Sequence, residues 1–178
     1  MANPWHDVSP GAHAPAAVAV IIETRGNSRN KYELDKTNGI FKLDRVLQSS
    51  VHYPGDYGFI PQTLFEDGDP LDVLLLIREP THTGCLVDAR PIGVLRMRDG
   101  GEPDDKILAV PTNDPYQREF LDIDDIPQHI LREVEYFFGT YKTLERKHVE
   151  IRGWDKSEAA AREITRSMDL YRQHYAIA

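Results

Sequence analysis

Residues 66–77 read EDGDPLDVLLLI, an acidic turn, Glu66-Asp67-Gly68-Asp69-Pro70-Leu71-Asp72, that merges into the apolar run Leu71 to Ile77. Three aspartates fall within six residues. Carboxylates held this closely repel, at a cost of about 4 kcal/mol for a pair near 4 Å at an effective dielectric of about 20. A free surface turn avoids that cost because its side chains diverge into water, and Asp, Gly and Pro are ordinary turn residues. Asp72 has less freedom, since it lies inside the apolar run. Hard oxygen ligands at this spacing suit Mg²⁺ or Mn²⁺, whereas the EF-hand pattern fails at Pro70 and Leu71. A second acidic group, Asp99, Glu102, Asp104 and Asp105, precedes Lys106. Two acidic loops at neighbouring strand ends could meet at one mouth and hold more than one cation.

Outward from this turn, the first two-thirds of the chain read as strands and turns. Ala16 to Glu23 (AAVAVIIE) is a short apolar run, expected as a buried strand. Lys31 to Asp35 and Gly39 to Arg45 form an expected hairpin, with Asn38-Gly39 as its turn signal. Cys85 to Met97 and Lys106 to Val110 are β-type runs, and Pro91 inside the first marks a bulge or an edge. The period then changes. Ile130, Leu131, Val134, Phe137, Phe138 and Tyr141 fall on one helical face. Pro127 is expected just inside the start of that helix, with Asp124 and Asp125 as capping candidates. A short strand, His148 to Arg152, precedes a second helix from Ser157 past Met168, whose inner face is Ile164, Met168 and Tyr171 with Tyr175 at its end. Many short strands followed by two helices point to an α+β fold, a small closed or nearly closed barrel flanked by helices. The expected organisation is a single domain over 1–178, with 1–15 as an extended N-terminal arm.

The bulk properties exclude several classes. A chain of 178 residues is long enough for one sizeable core. No apolar run approaches the roughly 20 residues of a membrane span, and residues 1–15 lack the pattern of a secretory signal. The single cysteine, Cys85, cannot pair within the chain, which fits a reducing compartment and a cytoplasmic location. A formal charge of −8 argues against nucleic-acid binding. An acidic protein still binds a phosphate compound when divalent cations stand between its carboxylates and the ligand. The chain has no P-loop, no G-x-G-x-x-G, no H-E-x-x-H and no G-x-S-x-G, and its seven histidines lack ligand spacing.

Basic and phenolic residues offer partners for phosphate oxygens. Lys31 and Arg45 lie on the two strands of the expected hairpin, and Tyr141-Lys142 ends the first long helix. Taken singly, Lys31 and Arg45 are more often plain exposed strand charges, and core packing alone would explain Tyr141. Tyr53-Pro54-Gly55-Asp56-Tyr57-Gly58-Phe59-Ile60-Pro61 reads as a compact turn, either packed by its aromatics or presenting two tyrosine hydroxyls to a phosphate. Three functions are compatible with these features: a metal-dependent phosphoanhydride hydrolase, a non-catalytic metal-dependent binder of polyphosphate or nucleotide, and an interaction module whose acidic loops only solvate it.

Asp67-Gly68-Asp69-Pro70-Leu71-Asp72 matches D-[GN]-D-P-x-D, and with it stand Lys31-Tyr32-Glu33, Asp44-Arg45, Tyr53 to Phe59, Asp99 to Lys106 and Tyr141-Lys142. In their order and spacing the chain resembles the family I soluble inorganic pyrophosphatases from Ala16 to about Tyr171. Lys31 to Pro61 and Ser167 to Tyr171 are similar to the plant-like branch. The resemblance implies a five-stranded OB-like β-barrel with flanking α-helices. It also implies Mg²⁺-dependent hydrolysis of pyrophosphate to two orthophosphates by a metal-activated water, several Mg²⁺ per site with Mn²⁺ or Zn²⁺ as substitutes, and a homohexamer. Asp67, Asp72, Asp99, Asp104 and Glu33 would hold metal, and Asp69 would be the general base. Lys31, Arg45, Tyr57, Lys106, Tyr141 and Lys142 would meet substrate, while Glu23 and Tyr53 would line the cavity. Tyr136 and Thr140 stand where some bacterial relatives carry histidines near subunit contacts, which leaves the catalytic set intact.

Overall fold

The computed structural model describes residues 3–175. Met1, Ala2 and 176–178, parts of the expected arm and domain, lie outside the described residues. A short helix, α1 (Pro4–Asp7), precedes β1 (Val18–Thr24). The hairpin β2 (Asn30–Asp35) and β3 (Ile40–Val46) follows, then β4 (Asp56–Phe59), β5 (Asp72–Leu75), the long β6 (Leu86–Asp99), the two-residue β7 (Glu102–Pro103) and β8 (Lys106–Pro111). A 3₁₀ turn, Ile123–Asp125, leads to α2 (Gln128–Thr140), and after a second such turn, Thr143–Glu145, come β9 (Val149–Lys156) and α3 (Ser157–Tyr175).

Strand pairing runs β1-β4-β5-β8-β6 and returns from β6 to β1, a ring of five strands. This is the arrangement expected of an OB-like α+β barrel. Every contact in the ring is antiparallel except β5 with β8. β9 and β7 extend from β6, and β2–β3 forms a separate two-stranded ribbon. Side chains alternate across the strands, which divides the core in two. Val73, Leu75, Ile107 and Ala109 pack with Ala160 and Ile164 of α3. Leu74, Leu76, Leu108 and Val110 belong to the cluster that includes Leu131, Val134, Phe137 and Phe138 of α2. Asp72 and Lys106 have the parity of Leu74 and Leu108, so the sheet delivers them together on the α2 side.

The hairpin turn is Lys36–Gly39, with the positive φ of +67° at Gly39, and Asp35 Oδ1 accepts the Thr37 and Asn38 N–H groups at 3.1 and 3.0 Å. Pro91 marks a bulge, as expected: the β6–β8 register shifts between Pro91 and Gly93. On its other side β6 changes partner there, from β1 ending at Ala89 to β9 beginning at Gly93.

Four expectations are corrected. The segment 53–61, read as a turn, contains β4, made a strand by its neighbours β1 and β5. A Cβ at Gly58 would lie 1.9 Å from the Ile21 carbonyl oxygen, so only glycine lets β4 approach β1 this closely. The N-terminal segment is not an extended arm. Trp5 is buried, its indole N–H donates to Thr63 O at 2.8 Å, and its ring packs against Tyr171 and Tyr175. Pro127 stands at the N-cap of α2 rather than inside it, and neither capping candidate caps α2. Asp125 instead accepts the Leu121 and Asp122 N–H groups, and Asp124 pairs with Lys156. The strand expected to end at Arg152 continues to Lys156 and passes directly into α3. The inner face of α3 is as expected for Ile164 and Tyr171, with Met168 partly buried, and Ala160 and Ser167 join it.

Candidate active site

The ring ends in a cleft of about 360 Å³. β1 brings Glu23, which is buried and accepts the Leu34 N–H at 2.8 Å. The ribbon is tied to the same strand by Thr24, whose hydroxyl donates to Tyr32 O and accepts the Tyr32 N–H. Lys31 pairs with Arg45 across β2 and β3. The Lys31 ammonium bonds Glu33, while Arg45 donates to Asp44 at 2.6 Å and to Glu145 at 3.1 Å. Both cations hang over the cleft, so neither is the plain strand charge that composition alone allowed.

The turn 66–72 supplies Asp67, Asp69 and Asp72 to the cleft. Asp67 Oδ1 accepts the Asp69 N–H at 3.0 Å, which holds the turn closed, and Asp69 stands half-exposed at the rim beside the Lys36 ammonium. From the loops around β7 come Asp99, Glu102 and Asp104, turned by positive φ at Gly100 and Gly101. Lys106 is buried between Asp72 and Asp104 and bonds both. Burial alone would lower its pKa, yet those two carboxylates hold it above the usual lysine range. Burial pushes Asp104 up, against the pull of Lys106, and Asp72 adds to the rise. Burial likewise raises Glu23, to about 8, with the Leu34 N–H opposing.

At the end of α2, Tyr141 stacks on Phe137 with ring centroids 5.1 Å apart and also lines the cleft, so packing and site are one role. Lys142 bonds Asp99. Burial raises both Tyr141 and Tyr57 above the ordinary phenol range, so both hydroxyls stay protonated as donors. Tyr53 is the exception among the expected cavity residues. It stands behind Tyr57, ring centroids 5.4 Å apart, with a buried hydroxyl that has no hydrogen-bond partner among the described residues. Two charged lining residues had no individual role from sequence: Lys36, in a polar hairpin turn with nothing to point it at the site, and Glu102, indistinct within its acidic run.

In all, eight carboxylates face five basic side chains in this cleft. Such a site is short of positive charge for an anionic ligand. Among the described residues no three His, Cys, Asp or Glu side chains stand close enough to hold a metal ion as they are placed, because lysine ammoniums occupy the gaps. The all-oxygen donor set of Asp67, Asp72, Asp99, Asp104 and Glu33 nevertheless has the chemistry Mg²⁺ prefers, and eight carboxylates against five basic groups leave it an excess of negative charge. The residues therefore fit a divalent cation that competes with Lys106 and Lys142 for the same oxygens. Among the described residues no helix is long and apolar enough to cross a membrane.

Comparison with known proteins bears on the same residues. A family described as Inorganic pyrophosphatase matches residues 20–172. The chain is 49% identical over 177 residues to the Inorganic pyrophosphatase of Haloferax volcanii, covering 99% of this chain and 100% of that protein. It is 51% identical over 170 residues to the Soluble inorganic pyrophosphatase of Oryza sativa subsp. indica, covering 96% and 79%. The crystal structure of inorganic pyrophosphatase from Thermus thermophilus superposes with a TM-score of 0.94 at 42% identity, covering 96% of this chain and 99% of that one.

Proposed function

Because the chain belongs to the inorganic pyrophosphatase family, we propose that it hydrolyses pyrophosphate to two orthophosphates with Mg²⁺, using Asp69 as general base. The observation that carries this reading is the single cleft where eight carboxylates and five basic groups converge with two tyrosine hydroxyls. Asp67, Asp72, Asp99, Asp104 and Glu33 would hold the cations, with Mn²⁺ or Zn²⁺ as substitutes. Bound Mg²⁺ supplies charge neutralisation at the phosphoryl oxygens and makes the attacking water more acidic.

The protein groups do the rest. Lys31, Arg45, Lys142 and the hydroxyls of Tyr57 and Tyr141 orient the phosphoryl groups. Asp69, at the rim, accepts the proton of the water as its oxygen bonds to one phosphorus. The bridging P–O bond then breaks, and the charge gathering on the leaving phosphate falls to Arg45, Lys31 and Lys142. Lys106 stays protonated and bridges Asp72 and Asp104. The protein is further proposed to be cytoplasmic and a single domain, to assemble as a hexamer, and to act without nucleic-acid or membrane partners.

Phosphate release from pyrophosphate by the purified protein, with Mg²⁺ and with EDTA, tests the proposal. Rapid release that EDTA abolishes is expected. Metal-loaded, folded protein that releases no phosphate would overturn it.

A further inference from the structure

Behind the cleft, α3 holds a continuous chain of ion pairs that begins beside one acidic loop and ends beside the other. Asp105, next to Asp104, accepts from Arg96 Nη1 at 2.5 Å and from the Met97 N–H at 3.2 Å. The same Arg96 Nη1 reaches Glu163 of α3 at 2.9 Å. Glu163, itself buried, takes Arg166 Nη1 on its other oxygen at 2.7 Å. Arg166 then bonds Glu66, the residue before Asp67. Backbone bonds run alongside: Leu64 N donates to Ser167 O at 2.9 Å, and Asp104 N to Met97 O at 3.0 Å.

Arg96 and Asp105 are tied to β6, Glu163 and Arg166 stand on α3, and none of the five side chains lines the cleft. What the chain connects is the spacing of Asp67 and Asp104, which sit on different loops with no covalent reason to keep a fixed separation. A cation shared between two loops is bound only as tightly as that separation is held, because loss of preorganisation is charged against affinity. Exposed ion pairs contribute little singly, but a network with a buried member fixes geometry more firmly.

We infer that Glu163 and Arg166 of α3 are positioning residues that set the distance between the two metal-binding loops through Arg96–Asp105 on one side and Glu66 on the other. This rests on the metal-dependent reading of the cleft. Arg166 and Glu66 are both half-exposed, so their substitution leaves the core intact.

The test is calorimetric titration of substrate-free protein with Mg²⁺, beside thermal unfolding in EDTA, for wild type, Arg166→Gln, Arg166→Lys, Glu66→Gln and the double variant Glu66→Gln/Arg166→Gln. Arg166→Gln is expected to weaken Mg²⁺ binding about tenfold, the lower end of the effect of losing an outer-shell partner. Its unfolding temperature should stay near wild type, and Arg166→Lys should recover part of the affinity. The double variant should be no weaker than Arg166→Gln alone, since that change already removes the contact to Glu66. Wild-type affinity in Arg166→Gln overturns the inference and leaves the proposed function standing. So does an additive double variant, which would mean that the two charges act separately. A wild-type protein that binds no Mg²⁺ overturns both.

Discussion

Glu23 on β1 accepts the backbone N–H of Leu34 on β2 at 2.8 Å, and its carboxyl lies buried in the wall of the cleft. One oxygen thereby fastens the two-stranded ribbon to the ring, which brings Lys31, Glu33 and Arg45 over the acidic loops. The bond also holds an acid that is almost wholly buried, and that burial raises its pKa to about 8.

That raised value sets the sign of a pH effect. Between the ordinary value of 4.5 and about 8, the folded state binds a proton that the unfolded state has lost. Stability from this group is therefore complete below pH 4.5 and falls as pH rises towards 8. In EDTA, the urea midpoint should fall less between pH 5 and pH 8.5 in Glu23→Gln than in wild type. Equal slopes in the two proteins would remove Glu23 as the source.

Asp69→Asn keeps the size of the side chain and its place at the rim while removing a proton acceptor. Turnover should fall by about 10² or more, with Mg²⁺ affinity close to wild type by calorimetry. Near-normal steady-state kinetics would show that another group takes the proton.

Arg45 already spends two donors on Asp44 and Glu145. Those contacts aim the planar guanidinium into the cleft, an orientation that a lysine point charge cannot reproduce. Arg45→Lys is expected to lower kcat/KM roughly tenfold, equivalent to about 1.4 kcal/mol. Unchanged kinetics with pyrophosphate would take Arg45 out of the substrate site.

Gly58→Ala probes the ring rather than the chemistry. The added carbon would meet the Ile21 carbonyl oxygen at 1.9 Å, a backbone atom with no rotamer by which to escape. The β1–β4 pairing must spread, and a loss of about 3 kcal/mol is expected, read as a lowered denaturant midpoint. A midpoint like that of wild type would mean that the two strands are not held so closely.

How far these features were legible in the sequence follows from where their causes lie. β1, β5 and β8 announce themselves as apolar runs, and α2 by its period, because each carries its own hydrophobic pattern. β4 does not. Asp56-Tyr57-Gly58-Phe59 is bracketed by turn residues, and it becomes a strand only because β1 and β5 flank it. The acids at 67–72 and 99–104 were visible as clusters, yet their convergence depends on β5 and β8 lying parallel with Val73 opposite Ile107. That register brings Asp72 beside Lys106, and no local spacing encodes it. Lys36 reaches Asp69 for the same kind of reason, through the fold-back of a hairpin whose turn is polar and unremarkable. The Trp5 contacts were hidden by a segment rich in proline and glycine, where one large aromatic side chain outweighs the composition around it.

The closing contact of the five-stranded ring joins Val18 to Ala89, and β8, which must lie between β5 and β6, ends only at Pro111. A ribosome making this protein therefore delivers β1 long before its second neighbour exists. During that interval a run of valine and isoleucine is an unpaired edge, open to other nascent chains. Ring closure becomes an event of late synthesis with a high sequence separation, the kind that folds slowly. Chaperone demand should therefore begin while roughly residues 18–111 are emerging and should end only once α2 and α3 cover the two faces of the ring.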